Sequence, residues 1–136
     1  MPYSNKDKKR KYDEKRRIIK YSSGEEFLKS LVSSKRSRKE PNDRRKVFNL
    51  TYEQVLDVYY KQDRKCFYSG LEFIIEKYHP MSMTIDRIDN NKGYTVDNIV
   101  LCSRAINLMK HTYPYSDLMP IFKAAIKHYK NLNKYG

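Results

Sequence analysis

The chain has 136 residues and a formal net charge of +13, a balance that suggests a polyanionic partner such as nucleic acid. No apolar run is long enough to span a bilayer, and the basic start lacks the apolar region of a signal peptide, so we expect a cytoplasmic protein with no membrane partner. Two cysteines are too few for a disulfide scaffold and suit a reducing compartment.

The positive charge is concentrated near the start of the chain. Residues 1–46 hold 17 Lys and Arg against 7 Asp and Glu, whereas residues 47–136 hold 12 against 9. We therefore predict a basic N-terminal arm over 1–46 and a compact domain over 47–136. Residues 1–20 have few apolar side chains and no evident cap, so we expect disorder or a helix that forms on DNA. Ser23 and Glu26 have capping-box spacing and predict one short helix that reaches Val32.

Three further elements are predicted in the domain. Thr51 and Gln54 form a capping box that opens a helix ending near Gln62. Residues 71–75 follow a glycine turn and suit a strand. Ser116 is predicted to cap a last helix that runs to about Asn131, with Pro120 in its first turn. An apolar stripe on this helix is expected to pack against the centre of the domain: Leu118, Ile121, Phe122, Ala125, Ile126 and Tyr129.

The central stretch, residues 82–111, predicts strand, turn, strand and helix. Residues 83–88 alternate in polarity with a period of two. Residues 90–93, Asn-Asn-Lys-Gly, have the composition of a tight turn. Residues 99–101 are apolar and mostly β-branched, and Ser103 can cap a helix that starts at Arg104.

Four polar side chains are predicted to converge at one end of this unit. Asp86 lies on the first strand and Asn98 opens the second, while Asn107 and His111 are four apart on the helix and would share a face. A carboxylate, amide oxygens and an imidazole around one point can hold a divalent cation. The alternative is a capped β-hairpin whose polar side chains face solvent.

The ordered motifs of residues 66–111 resemble the small phage-type members of the HNH (His-Me finger) endonucleases. The matching elements are Cys-Phe-Tyr-Ser-Gly at 66–70, Asp-Arg-Ile-Asp at 86–89, Gly-Tyr at 93–94, Asn98, and Asn-Leu-Met-Lys at 107–110. The resemblance implies an α+β fold with a ββα-metal core flanked by helices. It also implies hydrolysis of DNA phosphodiester bonds with a divalent metal, Mg²⁺ or Mn²⁺. Asp86 and Asn107 would bind that metal, His111 would be a further ligand, and Asn98 would brace the site.

Many HNH relatives build a zinc knuckle from two Cys-x-x-Cys pairs. Here Ser69 stands in the place of the second thiolate, and neither Ala105 nor Ile106 after Cys102 can bind a metal. We therefore expect no four-ligand structural zinc site. Cys66 and Cys102 are expected to pack near each other as small apolar residues.

The resemblance departs from the family pattern at Arg87, which occupies the usual position of the catalytic His. A guanidinium stays protonated and cannot take a proton from water. In the interpretation we favour, Arg87 binds or polarises the phosphate and another group activates water. Two alternatives remain open. His111 is the base, which its unperturbed pKa of about 6.5 suits, or the chain has lost catalysis and keeps the scaffold to bind nucleic acid.

Six basic residues are candidate phosphate contacts: Arg87, Arg104, Lys110, Arg44, Arg45 and Lys46. The expected function is a metal-dependent HNH-type DNA endonuclease, and the alternative is a non-catalytic nucleic-acid-binding protein on the same scaffold. The sequence does not separate DNA from RNA, nor a monomer from a homodimer. For a phage-encoded protein the cytoplasm would be that of the host cell.

Overall fold

The structure is a computed structural model that describes residues 4–37 and 47–132. Its helices and strands, in chain order, are α1 (Asn5–Lys20), α2 (Gly24–Ser37), α3 (Tyr52–Lys61), β1 (Met83–Arg87), β2 (Ile99–Ser103), α4 (Arg104–Lys110) and α5 (Tyr115–Tyr129). Helices combine with a small antiparallel sheet, so the predicted α+β class is confirmed.

The two strands form an antiparallel ribbon that is followed at once by α4. Ile85 pairs with Leu101 and Asp86 with Val100. Because successive side chains of a strand point to opposite faces, Asp86 and Ile85 lie on different faces of the ribbon. The predicted order of strand, turn, strand and helix is confirmed, with a short 3-10 turn, Val96–Asn98, before β2.

One face of the ribbon forms the hydrophobic core with α2 and α3. Leu28 from α2 and Val55 from α3 are fully buried, and they belong to the same cluster as Met83, Ile85 and Leu101 of the strands. Gln62, directly after α3, ties that helix to β2: its side chain accepts the Leu101 N–H and donates to the Leu101 carbonyl, at 2.9 and 2.8 Å. The core is therefore stabilised by apolar burial and by the two Gln62–Leu101 hydrogen bonds at the end of α3.

The predicted helix caps are observed at two positions. Ser23 accepts the Glu26 N–H at 3.1 Å, and α2 continues five residues beyond the predicted end. Thr51 and Gln54 form both bonds of the capping box at the start of α3. These short-range signals are reliable because each depends on residues three apart in the chain.

Of the two expectations for residues 1–20, disorder or a helix that forms on DNA, the described part contradicts disorder. Residues 5–20 form α1, and Ser4 caps it by accepting the Asp7 N–H at 3.2 Å. The described part of the arm thus contains two helices and not one. The reason is that Lys, Arg and Glu are good helix formers and that the Ser4 cap supplies the missing start signal.

Residues 71–75 do not form the predicted strand. Their only bridge pairs Lys65 with Glu72, and the Ile74 N–H donates to the Met81 carbonyl of a nearby loop. The Cys66 N–H bonds the Leu71 carbonyl and closes a tight turn around Gly70, which has a φ of 70°. Backbone groups that a third strand would use are therefore committed to turns.

Helix α5 does not pack as predicted. It begins at Tyr115 after Pro114, without a side-chain cap from Ser116, and Pro120 lies inside the helix beyond its first turn. Leu118 is buried, but Ile121 and Ile126 are more than half exposed. The physical reason is that α2 and α3 already cover the apolar face of the ribbon, while the other face carries the charged side chains described below.

The close approach of α2 to α3 yields a stability prediction at Gly24. A Cβ at this position would overlap the hydroxyl oxygen of the buried Tyr59. An alanine normally improves a helix by ~1 kcal/mol over glycine. Here we expect Gly24→Ala to lower the free energy of unfolding by about 1–3 kcal/mol, the usual cost of overpacking.

Urea denaturation in two backgrounds checks this prediction. Tyr59→Phe removes the overlapping oxygen, so Gly24→Ala should cost less in a Tyr59→Phe protein than in wild type. An equal cost in both backgrounds would show that contact with the Tyr59 hydroxyl is not the cause.

Candidate functional site

The site is built around Asp86, whose side chain lies on the polar face of the ribbon. Its Oδ2 atom is 2.9 Å from Nζ of Lys110 and accepts a hydrogen bond from the Tyr68 hydroxyl at 3.1 Å. Lys110 comes from the last turn of α4 and also donates to the Arg87 carbonyl at 3.1 Å. Both charged side chains are almost fully buried, with 7% and 1% of their areas exposed.

This ion pair joins the strand to the helix that follows the ribbon. Taking two charges out of water is costly, and close geometry with further hydrogen bonds offsets that cost. Tyr68 supplies one such bond and itself stacks on Tyr115, with ring centroids 4.3 Å apart. Burial, and next the negative charge of Asp86, raise the pKa of Tyr68 far above its ordinary value. The tyrosine therefore remains a proton donor to the carboxylate.

Asn98 holds the loop that connects the two strands. Its side-chain oxygen accepts the Asp89 N–H at 2.9 Å, and its amide donates to the carbonyls of Asp89 and Gly93 at 3.0 and 2.8 Å. Three hydrogen bonds from one buried side chain fix the loop beside Asp86. The bracing position that the resemblance implies for Asn98 agrees with this geometry.

Arg87 points toward the loop and away from the Asp86 face. Its guanidinium donates to the carbonyls of Asn90 and Lys92 at 3.3 and 3.1 Å, and it lies 5.1 Å from the centroid of the Tyr94 ring. These bonds stabilise the turn. They also mean that a phosphate bound by Arg87 would have to share the guanidinium with the loop carbonyls.

Asn107 and His111 are not brought together with Asp86 by any hydrogen bond in the described residues. Asn107 lines a cleft beside Thr84 and Ile85. Helix α4 ends at Lys110, and His111 is an exposed C-cap with a φ of 46°. The His111 N–H still donates to the Asn107 carbonyl at 3.0 Å, and the common face of the two side chains stays a prediction.

One oxygen of the Asp86 carboxylate is available to bind a divalent cation. Oδ2 already accepts from Lys110 and Tyr68. Oδ1 makes no hydrogen bond. Every buried side-chain N or O atom in the described part has a hydrogen-bond partner, so Oδ1 is not fully buried and keeps contact with solvent. Mg²⁺ commonly retains several waters and binds one or two carboxylates plus substrate phosphate. Oδ1 is therefore the Asp86 atom that would contact such an ion, with the Lys110 charge opposing it.

Among residues 4–37 and 47–132, no three His, Cys, Asp or Glu side chains cluster in an arrangement that could hold a metal. Within the same residues no helix is long and apolar enough to cross a bilayer. Cys66 and Cys102 are both buried and unbridged, so their predicted burial is confirmed.

The two thiols have different surroundings. Burial raises the pKa of Cys102 to about 12. At Cys66, burial also raises the pKa, but hydrogen bonds from Ser69 and from the Ser103 and Tyr68 backbone outweigh it, and the net pKa is lowered. The Ser103 N–H lies 3.4 Å from the Cys66 sulfur, so the thiol helps to hold the start of α4.

The candidate phosphate contacts have different placements. Lys110 is fully buried in its ion pair, so the prediction that it contacts phosphate is wrong for this arrangement. Arg104 is half-buried at the start of α4, with its guanidinium 5.1 Å from the Tyr78 ring centroid. The predicted contacts Arg44, Arg45 and Lys46 lie outside the described residues.

Tyr68 is the member of the site that sequence reasoning missed. It lies inside the Cys-Phe-Tyr-Ser-Gly motif, 18 residues before Asp86. No periodicity links the two positions. The available signal was the position of Tyr68 within a motif that also contains the buried Cys66.

The fold and the site together define an α+β protein with a β-ribbon, a following helix and a buried Asp–Lys pair at their junction. A scan against protein-family models and searches of curated proteins and of solved structures found no match to this chain.

The buried pair predicts a large coupling between Asp86 and Lys110. Lys110→Met leaves a buried carboxylate without its cation and should cost about 3–5 kcal/mol of unfolding free energy. The double variant Asp86→Asn/Lys110→Met should cost clearly less than the sum of the two single changes. Chemical denaturation of all four proteins measures the coupling.

The exposed Asp57–Lys61 pair, 2.8 Å apart with both side chains more than half exposed, is the matched control. Its coupling should stay below about 1 kcal/mol. Equal couplings at the two pairs would contradict a special role for burial at Asp86.

The raised pKa of Cys102 predicts a loss of stability in alkali. The unfolded thiol loses its proton near pH 9, whereas the folded thiol keeps it up to about pH 12. The stabilisation is therefore complete below pH 9 and falls as the pH rises toward 12, by up to ~1.4 kcal/mol per pH unit. Denaturation of wild type and Cys102→Ala, under reducing conditions at several pH values, tests this. The prediction would be refuted if the unfolding free energies of wild type and Cys102→Ala changed equally between pH 9 and 11.

Proposed function

We propose that the protein is a DNA endonuclease of the HNH type, which hydrolyses phosphodiester bonds with Mg²⁺ or Mn²⁺. The observation that carries the proposal is the β-ribbon and helix formed by residues 83–110. Within it the resembling motifs stand in order, and Asp86 lies where β1 meets α4. The net charge of +13 supports a polyanionic substrate.

Asp86 and Asn107 are the proposed metal ligands, and Asp86 would bind through Oδ1. The bound metal would offset charge that develops on the phosphate and the leaving oxygen. Asn98 keeps the loop fixed next to Asp86. Lys110 and Tyr68 are both bonded to Oδ2 and would hold the carboxylate in position while Oδ1 binds the metal.

His111 is the proposed general base. It is exposed and can reach solvent, and a neutral imidazole accepts a proton near pH 7. Arg87 cannot take that role because it stays protonated. Its bonds to the loop carbonyls give it a positioning part, and we propose that the same guanidinium also contacts the phosphate.

A second candidate function is nucleic-acid binding without catalysis. The observation that favours it is the Asp86–Lys110 pair, since an ammonium 2.9 Å from Oδ2 already neutralises the carboxylate. A protein that binds DNA and leaves it intact would gain from this neutralisation, because a free carboxylate repels phosphate.

A supercoiled-plasmid assay separates the two functions. With Mg²⁺ or Mn²⁺ we expect wild type to nick the plasmid, and chelator to abolish nicking. Asp86→Asn should reduce the rate at least about 100-fold, in line with the several kcal/mol that a catalytic metal supplies. His111→Gln should reduce it by about 10²–10⁴, the usual contribution of a general base.

Matched controls come from α5, where Asp117 and His128 are exposed. Asp117→Asn and His128→Gln should nick like wild type. Wild type that retards DNA in a gel but leaves it intact with either metal would reject the enzyme and favour the second candidate.

A further inference from the structure

A cleft lies between α2, α4 and the strand β1. Its volume is about 300 Å³. Met83, Thr84 and Ile85 all line it. Because consecutive strand residues point to opposite faces, a cleft that all three border must run along the edge of β1. Asn107 of α4 also borders it.

The cleft is rich in positive charge. Three of its lining residues are basic, Lys35, Lys77 and Arg104, and none is acidic. Within the described residues, none of these three has a carboxylate within salt-bridge distance. Three cations that have no salt-bridge partner in the described part of the chain, set around one concave surface, concentrate a positive potential there and attract anions.

Aromatic rings hold these cations in place and leave their charge intact. The Lys77 ammonium and the Arg104 guanidinium lie 5.0 and 5.1 Å from the centroid of the Tyr78 ring. The Lys35 ammonium lies 5.1 Å from the centroid of Tyr94. At an exposed site, a cation–π contact stabilises the position of a charged group by about 0.5–1 kcal/mol. The cations therefore have less conformational freedom to lose when an anion binds.

Two other residues suit the cleft to a phosphate ester. The Asn107 amide makes no hydrogen bond within the described residues and can donate to a phosphate oxygen. Tyr78 has a φ of 62°, a backbone conformation that is uncommon outside glycine. That conformation holds its ring at the mouth of the cleft, between Lys77 and Arg104.

We propose that this cleft is a phosphate-binding subsite that seats the nucleic-acid backbone, with Lys35, Lys77 and Arg104 as its contacts. This inference rests on the proposed function, which supplies the ligand, and it assigns a defined surface to that ligand. A phosphate seated here would fix the position of the nucleic-acid backbone on the protein without reading its sequence.

The test measures DNA binding by fluorescence anisotropy in chelator, where no cleavage is expected. The cleft variant is Lys35→Gln/Lys77→Gln/Arg104→Gln. The control variant, Lys123→Gln/Lys127→Gln/Lys130→Gln, removes the same charge from the exposed side of α5. We expect the cleft variant to weaken binding by ~10- to 100-fold and to lower the slope of log Kd against log salt by about 2–3, at ~0.9 per lost phosphate contact. The control should change Kd by less than about threefold.

Three outcomes would overturn the subsite. Equal weakening by both triple variants would show that only total charge matters, and an unchanged Kd in the cleft variant would show that DNA binds elsewhere. Displacement of DNA by submillimolar inorganic phosphate at constant ionic strength, in wild type but not in the cleft variant, would show that the cleft takes a free phosphate. A melting temperature close to wild type confirms that each variant is folded.

The outcome for the subsite is separable from the outcome for the enzyme. If wild type binds DNA through the cleft and never nicks a plasmid, the endonuclease fails and the subsite stands. If wild type nicks and the cleft variant binds and nicks equally well, the subsite fails and the endonuclease stands.

Discussion

The buried pair of Asp86 and Lys110 is the interaction on which the site depends. Helix α4 has seven residues, too few to be stable alone. It is held at one end by the Ser103 cap and at the other by Lys110, whose ammonium reaches both the Asp86 carboxylate and the Arg87 carbonyl. Losing either charge leaves the other buried and unpaired, so strand and helix must be kept together.

The ribbon divides the protein into an apolar side and a polar side. Ile85 and Leu101 face α2 and α3, and the opposite side carries Asp86 with Tyr68 and Lys110. A two-stranded ribbon is marginal by itself, so its stability comes from helices packed on the apolar side. The polar side carries the charged side chains. It offers little apolar surface to the apolar stripe of α5, of which Leu118 is buried.

Much of the fold was predictable from the sequence, because its strongest signals are local. The Ser23 cap, the capping box at Thr51, the alternation in β1 and the Ser103 cap each need only a few adjacent residues. The partner of Asp86 was not predictable, because Lys110 is 24 residues away and a helix-terminal lysine normally stays in solvent. The strand predicted at residues 71–75 is not formed for a similar reason. Turn hydrogen bonds to distant backbone groups override the β-propensity of these residues.

Charge compensation separates the two regions that the proposals concern. At Asp86 an anion and a cation cancel within 2.9 Å, so this point exerts little long-range pull on a phosphate. In the cleft, Lys35, Lys77 and Arg104 are set against aromatic rings and have no salt-bridge partner among residues 4–37 and 47–132. If the cleft binds the backbone as proposed, a polyanion would be attracted more strongly to these cations than to the neutralised carboxylate. Under the endonuclease proposal, affinity would come mainly from the cleft and the basic arm, and Asp86 would act on a backbone that is already bound.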